Sequence, residues 1–255
     1  MINLIKNELL KIFWQKKLTY FLLLICIMQF LPLLFVLISS MKIHDGQTYP
    51  LFFAGIITSF LLPVFITILV SEMITDEYIK GNFAVTLIHP VSRTMLLTAK
   101  AAALFLVINI ILAASLVSGY GIGTLLFGWG EEFLYQGVAY TTREGIIMTL
   151  GHYFYASLPL FSFSFPVTLL ALIFLNSGLV VGATLGATFA AILTGLLVKE
   201  IQPYLITIYF TELPRLLLSG AGLKDILLPA AVIFFYAFLP YLVSFYLLNK
   251  RDILH

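Results

Sequence analysis

The chain has 255 residues, of which 61% are hydrophobic and only 10% charged, with a mean hydropathy of +1.07. Soluble domains carry about 45–50% apolar and about 25% charged residues, so this composition excludes a soluble globular enzyme and predicts a bilayer as the solvent. The net charge of +2 is spread along the chain and forms no dense basic stripe, which excludes a nucleic-acid binder.

The first seventeen residues place Ile2, Ile5, Leu9, Ile12 and Phe13 at helical spacing, with Lys6, Asn7, Glu8, Lys11 and Gln15 largely elsewhere. This pattern predicts an amphipathic helix over residues 1–17, lying on a membrane surface with Trp14 and the lysines at headgroup level. Uncharged runs then follow at Leu18 to Met41, Gly46 to Ser71, Ala101 to Gly130, Gly145 to Val198, and Ile226 to Asn249. A span needs about 20 apolar residues, and the fourth run is about twice that length, with a turn-like Asn176-Ser177-Gly178 inside it. The expectation is therefore an all-α polytopic membrane protein, one transmembrane domain over 1–255. Its six spans are expected near 18–41, 51–71, 95–120, 152–175, 178–198 and 226–248. The first run has no A-x-A-like cleavage site after it and reads as a retained helix. Its lone Cys26 has no partner for a disulfide or a thiolate metal site.

Six spans put both termini on one side, which then holds nine Lys/Arg and five acids; the other side holds five Lys/Arg and seven acids. The positive-inside bias makes the terminal side cytoplasmic.

Between the second and third spans runs the most polar stretch, from Ser71 through Asp76-Glu77-Tyr78-Ile79-Lys80-Gly81-Asn82-Phe83 to Pro90-Val91-Ser92-Arg93 and then Lys100. Thr75 is suited to cap a helix over about 75–88 with Asp76 and Glu77 in its first turn; composition alone equally allows a solvated loop. Pro90 breaks the chain, and Arg93 and Lys100 are placed to snorkel to the headgroups.

That stretch, acid-x-x-x-Gly, a few apolar positions, Pro-Val-Ser-Arg and a following Lys, resembles the cytoplasmic loop of type-2 ABC exporter permeases. Within that family the stretch resembles the bacitracin, lantibiotic and other peptide-export permeases. The amphipathic first helix, six spans, a long outer segment before the last span and the closing Arg251-Asp252 are similar too. The resemblance implies that Asp76, Glu77, Tyr78, Lys80, Gly81, Asn82 and Phe83, with Pro90 and Arg93 behind them, form a coupling helix that docks on a separate ATP-binding subunit. It implies two copies of that subunit, carrying ATP and Mg, and a second permease subunit, either an identical copy or a paralogue, in a bacterial or archaeal cytoplasmic membrane. No G-x-x-x-x-G-K-[ST] loop occurs, so the chain itself binds no nucleotide cofactor, and no clustered metal ligands or catalytic constellation emerge.

In the fifth span Gly178, Gly182, Gly186 and Ala190 recur every four residues, a ridge that lets helix backbones approach. Such a ridge serves packing within the bundle or, by the resemblance, a dimer seam. Gly119-Tyr120-Gly121-Ile122-Gly123 reads as a bend near the outer surface. The segments around Trp129 to Tyr140 and from Lys199 to Asp225 read as re-entrant or interfacial helices. By the resemblance, Glu212, Pro214 and Arg215 in the latter belong to an outer gate. The expected function is export of an amphipathic peptide, antibiotic or lipid-like substrate. The alternatives are an ion-extruding permease of the same architecture and an ATPase-independent carrier, the latter disfavoured because the spans hold no acid. An intramembrane enzyme is weaker still.

Overall fold

A computed structural model describes residues 1–31, 45–79, 92–135 and 137–250. It is helical almost throughout, as the composition requires. In chain order the elements are α1 (Ile2–Trp14), α2 (Lys17–Met28), α3 (Tyr49–Ile79), α4 (Arg93–Phe127), a hairpin of β1 (Phe133–Tyr135) and β2 (Val138–Tyr140), α5 (Thr142–Phe174) and α6 (Ser177–Leu197). Two 3-10 turns (Gln202–Tyr204, Ile206–Ile208), α7 (Tyr209–Leu218) and α8 (Leu223–Lys250) complete the chain. Among the described residues five helices, α3, α4, α5, α6 and α8, are long and apolar enough to cross a membrane. The apolar α2 has 12 residues, about 18 Å of helix, and residues 32–41 of the expected first span lie outside the described residues.

α5 is the hub, packed against α3, α4, α6, α7 and α8. It is apolar on every side and buries Leu160, Phe163, Val167, Ala171 and Leu172. Rings and hydroxyls fix its neighbours. Phe163 meets Phe210 of α7 edge-on at 5.6 Å, Phe165 meets Tyr241 of α8 at 5.7 Å, and Ser162 Oγ donates to Ile233 O of α8 at 2.6 Å. In lipid such contacts replace the hydrophobic drive that water supplies to soluble bundles.

The helices run past the expected spans, each for a local reason. α3 continues from the span to Ile79, through wide turns at Ile57–Leu61 and Glu72–Asp76. The first of these precedes Pro63, whose ring cannot fit a regular turn. Thr75 does not start a new helix, because its hydroxyl donates to Ser71 O inside α3. α5 begins at Thr142, where Thr141 and Glu144 form a reciprocal capping box. Asn176, at the expected turn, caps α6 by accepting from Leu179 N at 3.1 Å.

The glycine cluster at 119–123 makes no bend. α4 passes straight through it, and the missing side chains admit the start of α3: a Cβ on Gly123 would lie 2.6 Å from Tyr49 Cβ and 3.0 Å from Gly46 O. The segment after α4 is a hairpin, not a helix, with Phe133 opposite Tyr140. Phe133 is fully buried against Gly145, where a methyl group would overlap its ring.

These contacts set an expectation for stability. Gly123→Ala overpacks the α3–α4 crossing and should cost about 1–3 kcal/mol. Gly121→Ala meets no atom within 4 Å and should be neutral or slightly stabilising. Thermal unfolding of the two variants in detergent, followed by size-exclusion of the surviving fraction, should separate them; equal midpoints would contradict this packing.

Candidate coupling site

At the end of the bundle where α1 packs, the ends of α3 and α4 meet in a cluster of charges. α1 contributes Glu8 and Lys11, α3 contributes Glu72 and Glu77, and α4 contributes Lys100. Lys100 is 3% exposed, and its Nζ donates to Glu8 Oε2 at 2.7 Å and to Glu77 Oε2 at 2.6 Å. Lys11 Nζ closes the ring from the solvent side, reaching Glu8 Oε1 at 2.8 Å and Glu77 Oε1 at 2.9 Å. Both oxygens of each carboxylate are therefore held, one by the buried ammonium and one by the exposed one. Lys17 pairs with Glu72 one and a half turns before Glu77. On the next flank Arg93 Nη1 donates to the last carbonyls of α8, Leu248 O at 2.7 Å and Asn249 O at 3.1 Å.

Two expectations change here. Lys100 does not snorkel to headgroups, because two carboxylates meet it inside the protein. The amphipathic α1 does not put all its charge outward either: Glu8 and Ile12 are buried, whereas Ile2 and Trp14 are 82% exposed. Burial raises the Glu8 pKa, but the charges and hydrogen bonds of Lys100 and Lys11 outweigh it and hold the carboxyl below its ordinary value. Burial likewise lowers Lys11, and Glu8 and Glu77 more than offset it, leaving the ammonium above its ordinary value.

Of the residues expected to couple to a partner, Asp76, Glu77 and Tyr78 are half-buried on the last turns of α3, and Arg93 opens α4, capped by Ser92. Asp76 and Tyr78 also have partners within the chain. Lys80, Gly81, Asn82, Phe83 and Pro90 lie outside the described residues. Glu77 thus holds an internal joint, in addition to any contact with another chain. Glu8, Lys11 and Lys100 were not singled out from the sequence as a cluster. The available signals were the i,i+3 pair of opposite charges on α1 and a lone lysine one and a half to two turns into an apolar helix.

The other expected site residues lie elsewhere. Gly178, Gly182, Gly186 and Ala190 form an exposed line on α6, and a Cβ on Gly182 or Gly186 would meet nothing within 4 Å. The ridge is therefore not used for packing among the described residues. Glu212 and Arg215 form an exposed pair on α7, 3.4 Å apart, and Pro214 is buried in the same helix. No group of three or more metal-ligating side chains occurs among the described residues.

The joint sets a pH expectation. Glu8, with a lowered folded pKa, contributes stability above its unfolded value near 4.5 and loses it as pH falls through the lower folded value. Lys11, with a raised one, contributes below about 10.5 and loses it as pH rises through the higher folded value. Hydrogen exchange in α1 should be flat from about pH 5 to 10, after correction for intrinsic rates, and rise below about pH 4. Lys100→Met leaves the buried Glu8 and the half-buried Glu77 with only the exposed Lys11 between them and should destabilise by about 1–3 kcal/mol, partly restored by adding Glu8→Gln. An unchanged midpoint for Lys100→Met would contradict the joint.

A comparison with curated proteins gave no match. A comparison with family models matched residues 4–173 to the ABC-2 family transporter proteins, from α1 through nearly all of α5, including the charged joint. α6, α7 and α8, with the glycine line and the Glu212–Arg215 pair, lie beyond the matched residues. Membership accounts for the multi-pass helical bundle, and permeases of this family in general have an ABC ATP-binding partner. The match covers two thirds of the chain, and the chain belongs to the ABC-2 transporter family.

Proposed function

We propose that this chain is the permease subunit of an ATP-driven exporter that moves an amphipathic peptide, antibiotic or lipid-like substrate out of a bacterial or archaeal cell. The observation that carries this reading is the joint of Glu8, Lys11, Glu77 and Lys100 at the very end of α3, inside the family-matched region. The chain leaves α3 at Ile79 directly into the polar residues that resemble a coupling helix. A push on Lys80 to Phe83 from an ATP-binding subunit would act on the residues that directly follow α3 in the chain. The same push would reach α1 and α4 through the ion pairs, so the three helices move together. The excess of Lys and Arg on this side, nine against five, supports a cytoplasmic face with both termini inside.

Two ATP-binding subunits, each carrying ATP and Mg, serve two permease subunits, identical or paralogous. The exposed Gly178, Gly182, Gly186 and Ala190 line supports α6 as the seam, since none of the described residues covers it and small residues suit close approach in lipid. The Glu212–Arg215 pair and Pro214 on α7, at the opposite end from the joint, serve as the outer gate.

Gentle-detergent purification of the tagged chain from its own cells should recover an ATPase in about 1:1 ratio, with vanadate-sensitive hydrolysis. Asp76→Ala with Phe83→Ala should lower that recovery at least tenfold at unchanged permease yield, whereas Glu212→Ala should leave it unchanged. Recovery of the permease alone would contradict the reading. For the seam, Gly182→Cys in a Cys26→Ser background should form a disulfide-linked dimer on mild oxidation. A chain that stays monomeric there but cross-links from Leu227→Cys, exposed on α8, would move the seam to another face.

A further inference from the structure

On the side of α6 away from its glycine line lies a groove walled by α5, α6 and the two 3-10 turns that follow α6. Residues two apart on a helix point about 200° apart, so Thr184 faces nearly opposite to Gly182 and Gly186. The groove consists of two adjoining half-open cavities, of about 160 and 210 Å³, that share Ala191 and Thr207 as walls. Gly195 makes room for it: a Cβ there would come within 3.1 Å of Leu205 and push the turns off α6. The walls are aliphatic and aromatic, and neither cavity is lined by a charged side chain.

One group in it is out of pattern. Thr149, Thr168, Thr188 and Thr194 each return their hydroxyl to the carbonyl four residues back, the usual satisfaction of a threonine inside a span. Thr184 lines the groove, is 4% exposed, and its Oγ1 has no hydrogen-bond partner. An unpaired buried hydroxyl is destabilising, a cost a ligand atom can remove. Hydroxyls of Thr207 and Tyr236 stand in the same wall, and Ser59 and Gln202 stand at the far cavity. The second cavity opens at Ile192 and Leu196 of α6, which stand in its wall and are themselves exposed.

We propose that this groove binds an uncharged amphiphile drawn sideways from the bilayer, with an apolar body against Phe163 and Ala191 and one hydroxyl or carbonyl paired with the Thr184 hydroxyl, which turns from its enclosed position into the groove to meet it. The absence of a lining charge excludes an anionic or cationic headgroup from the site, because no counter-ion is present to offset its desolvation. The inference rests on the exporter reading only for its meaning: α6 then carries the substrate on one side and the subunit seam on the other, so occupancy of the groove is felt at the seam.

The test uses the full chain in native-lipid nanodiscs and a diazirine-bearing monoacylglycerol, with labelled peptides located by mass spectrometry. Label should concentrate in residues 184–191 and 202–208 and be competed by unlabelled monoacylglycerol, and at least tenfold less well by lysophosphatidylglycerol. Thr184→Val removes a hydroxyl that bonds to nothing in the chain, so the fold should keep or raise its melting temperature while labelling falls at least threefold. Ala191→Phe, which fills the shared wall, should abolish it. Label spread evenly over the exposed faces of α6 and α8, or unmoved by Thr184→Val and Ala191→Phe, would overturn the proposal. Co-purification of the ATPase is read separately: groove labelling without an ATPase would keep the site and remove the exporter reading, and the converse would do the opposite.

Discussion

A buried ammonium shared by two carboxylates organises the charged end of this protein. Lys100 sits where an isolated lysine would be costly, and Glu8 and Glu77 would each be costly without it. Net stabilisation from such a group is small, because desolvation offsets most of the attraction, but breaking it is expensive. Its structural consequence is therefore specificity of placement. α1 is held on the bundle at one rotation and height, and the last turns of α3 remain helical although they carry Glu72, Asp76 and Glu77. The second wide turn of α3, Glu72–Asp76, lies immediately before the joint, so Glu77 reaches Lys100 from a helix that has already departed from regular winding.

Much of the architecture was legible from hydropathy alone. Runs without charge mark spans because the bilayer tolerates few exceptions, and Asn176 marks the α5–α6 turn because its side chain caps a helix better than it continues one. The places where the sequence misled are those where tertiary partners override local chemistry. Charge at Glu72 to Glu77 reads as the end of a span and the start of a separate helix or a loop, yet Lys11, Lys17 and Lys100 neutralise Glu72 and Glu77 within a continuous helix. Glycines at 119–123 read as a bend, yet the helix runs on through them, and Gly119 and Gly123 are spaces for Pro50 and Tyr49. The segment before α5 has the composition of an interfacial helix, but Phe133 finds a socket at Gly145 that requires an extended strand. Each correction needs knowledge of a residue more than ten positions away, which periodicity does not carry.

The same division holds for the site. A functional end on the terminal side was legible in the letters from Asp76 to Arg93, while the ion-pair joint beneath it was not, because Glu8 and Lys100 are 92 positions apart. The glycine line on α6 was legible as a packing surface; that it packs on none of the described residues is a property of the fold. The groove on the other side of α6 left no trace in the sequence, since a threonine in a span is unremarkable until its hydroxyl is found unpaired. Thus α6 joins two surfaces that differ in kind, a backbone-close face of small residues and a hydroxyl-bearing cavity wall, across one helix diameter.

The central claim is that α1 and the end of α3 move as one body when the ATP-binding partner works. The most direct measurement is a spin–spin distance between Leu10→Cys and Ile79→Cys, both exposed positions, in a Cys26→Ser chain assembled with its ATPase. The distance should be unchanged, within about 2 Å, between the nucleotide-free and vanadate-trapped states, while an Ile79–Ile79 distance across the two permease subunits shifts by several Å. A Leu10–Ile79 distance that changes as much as the intersubunit one would show that the ion pairs do not carry the motion.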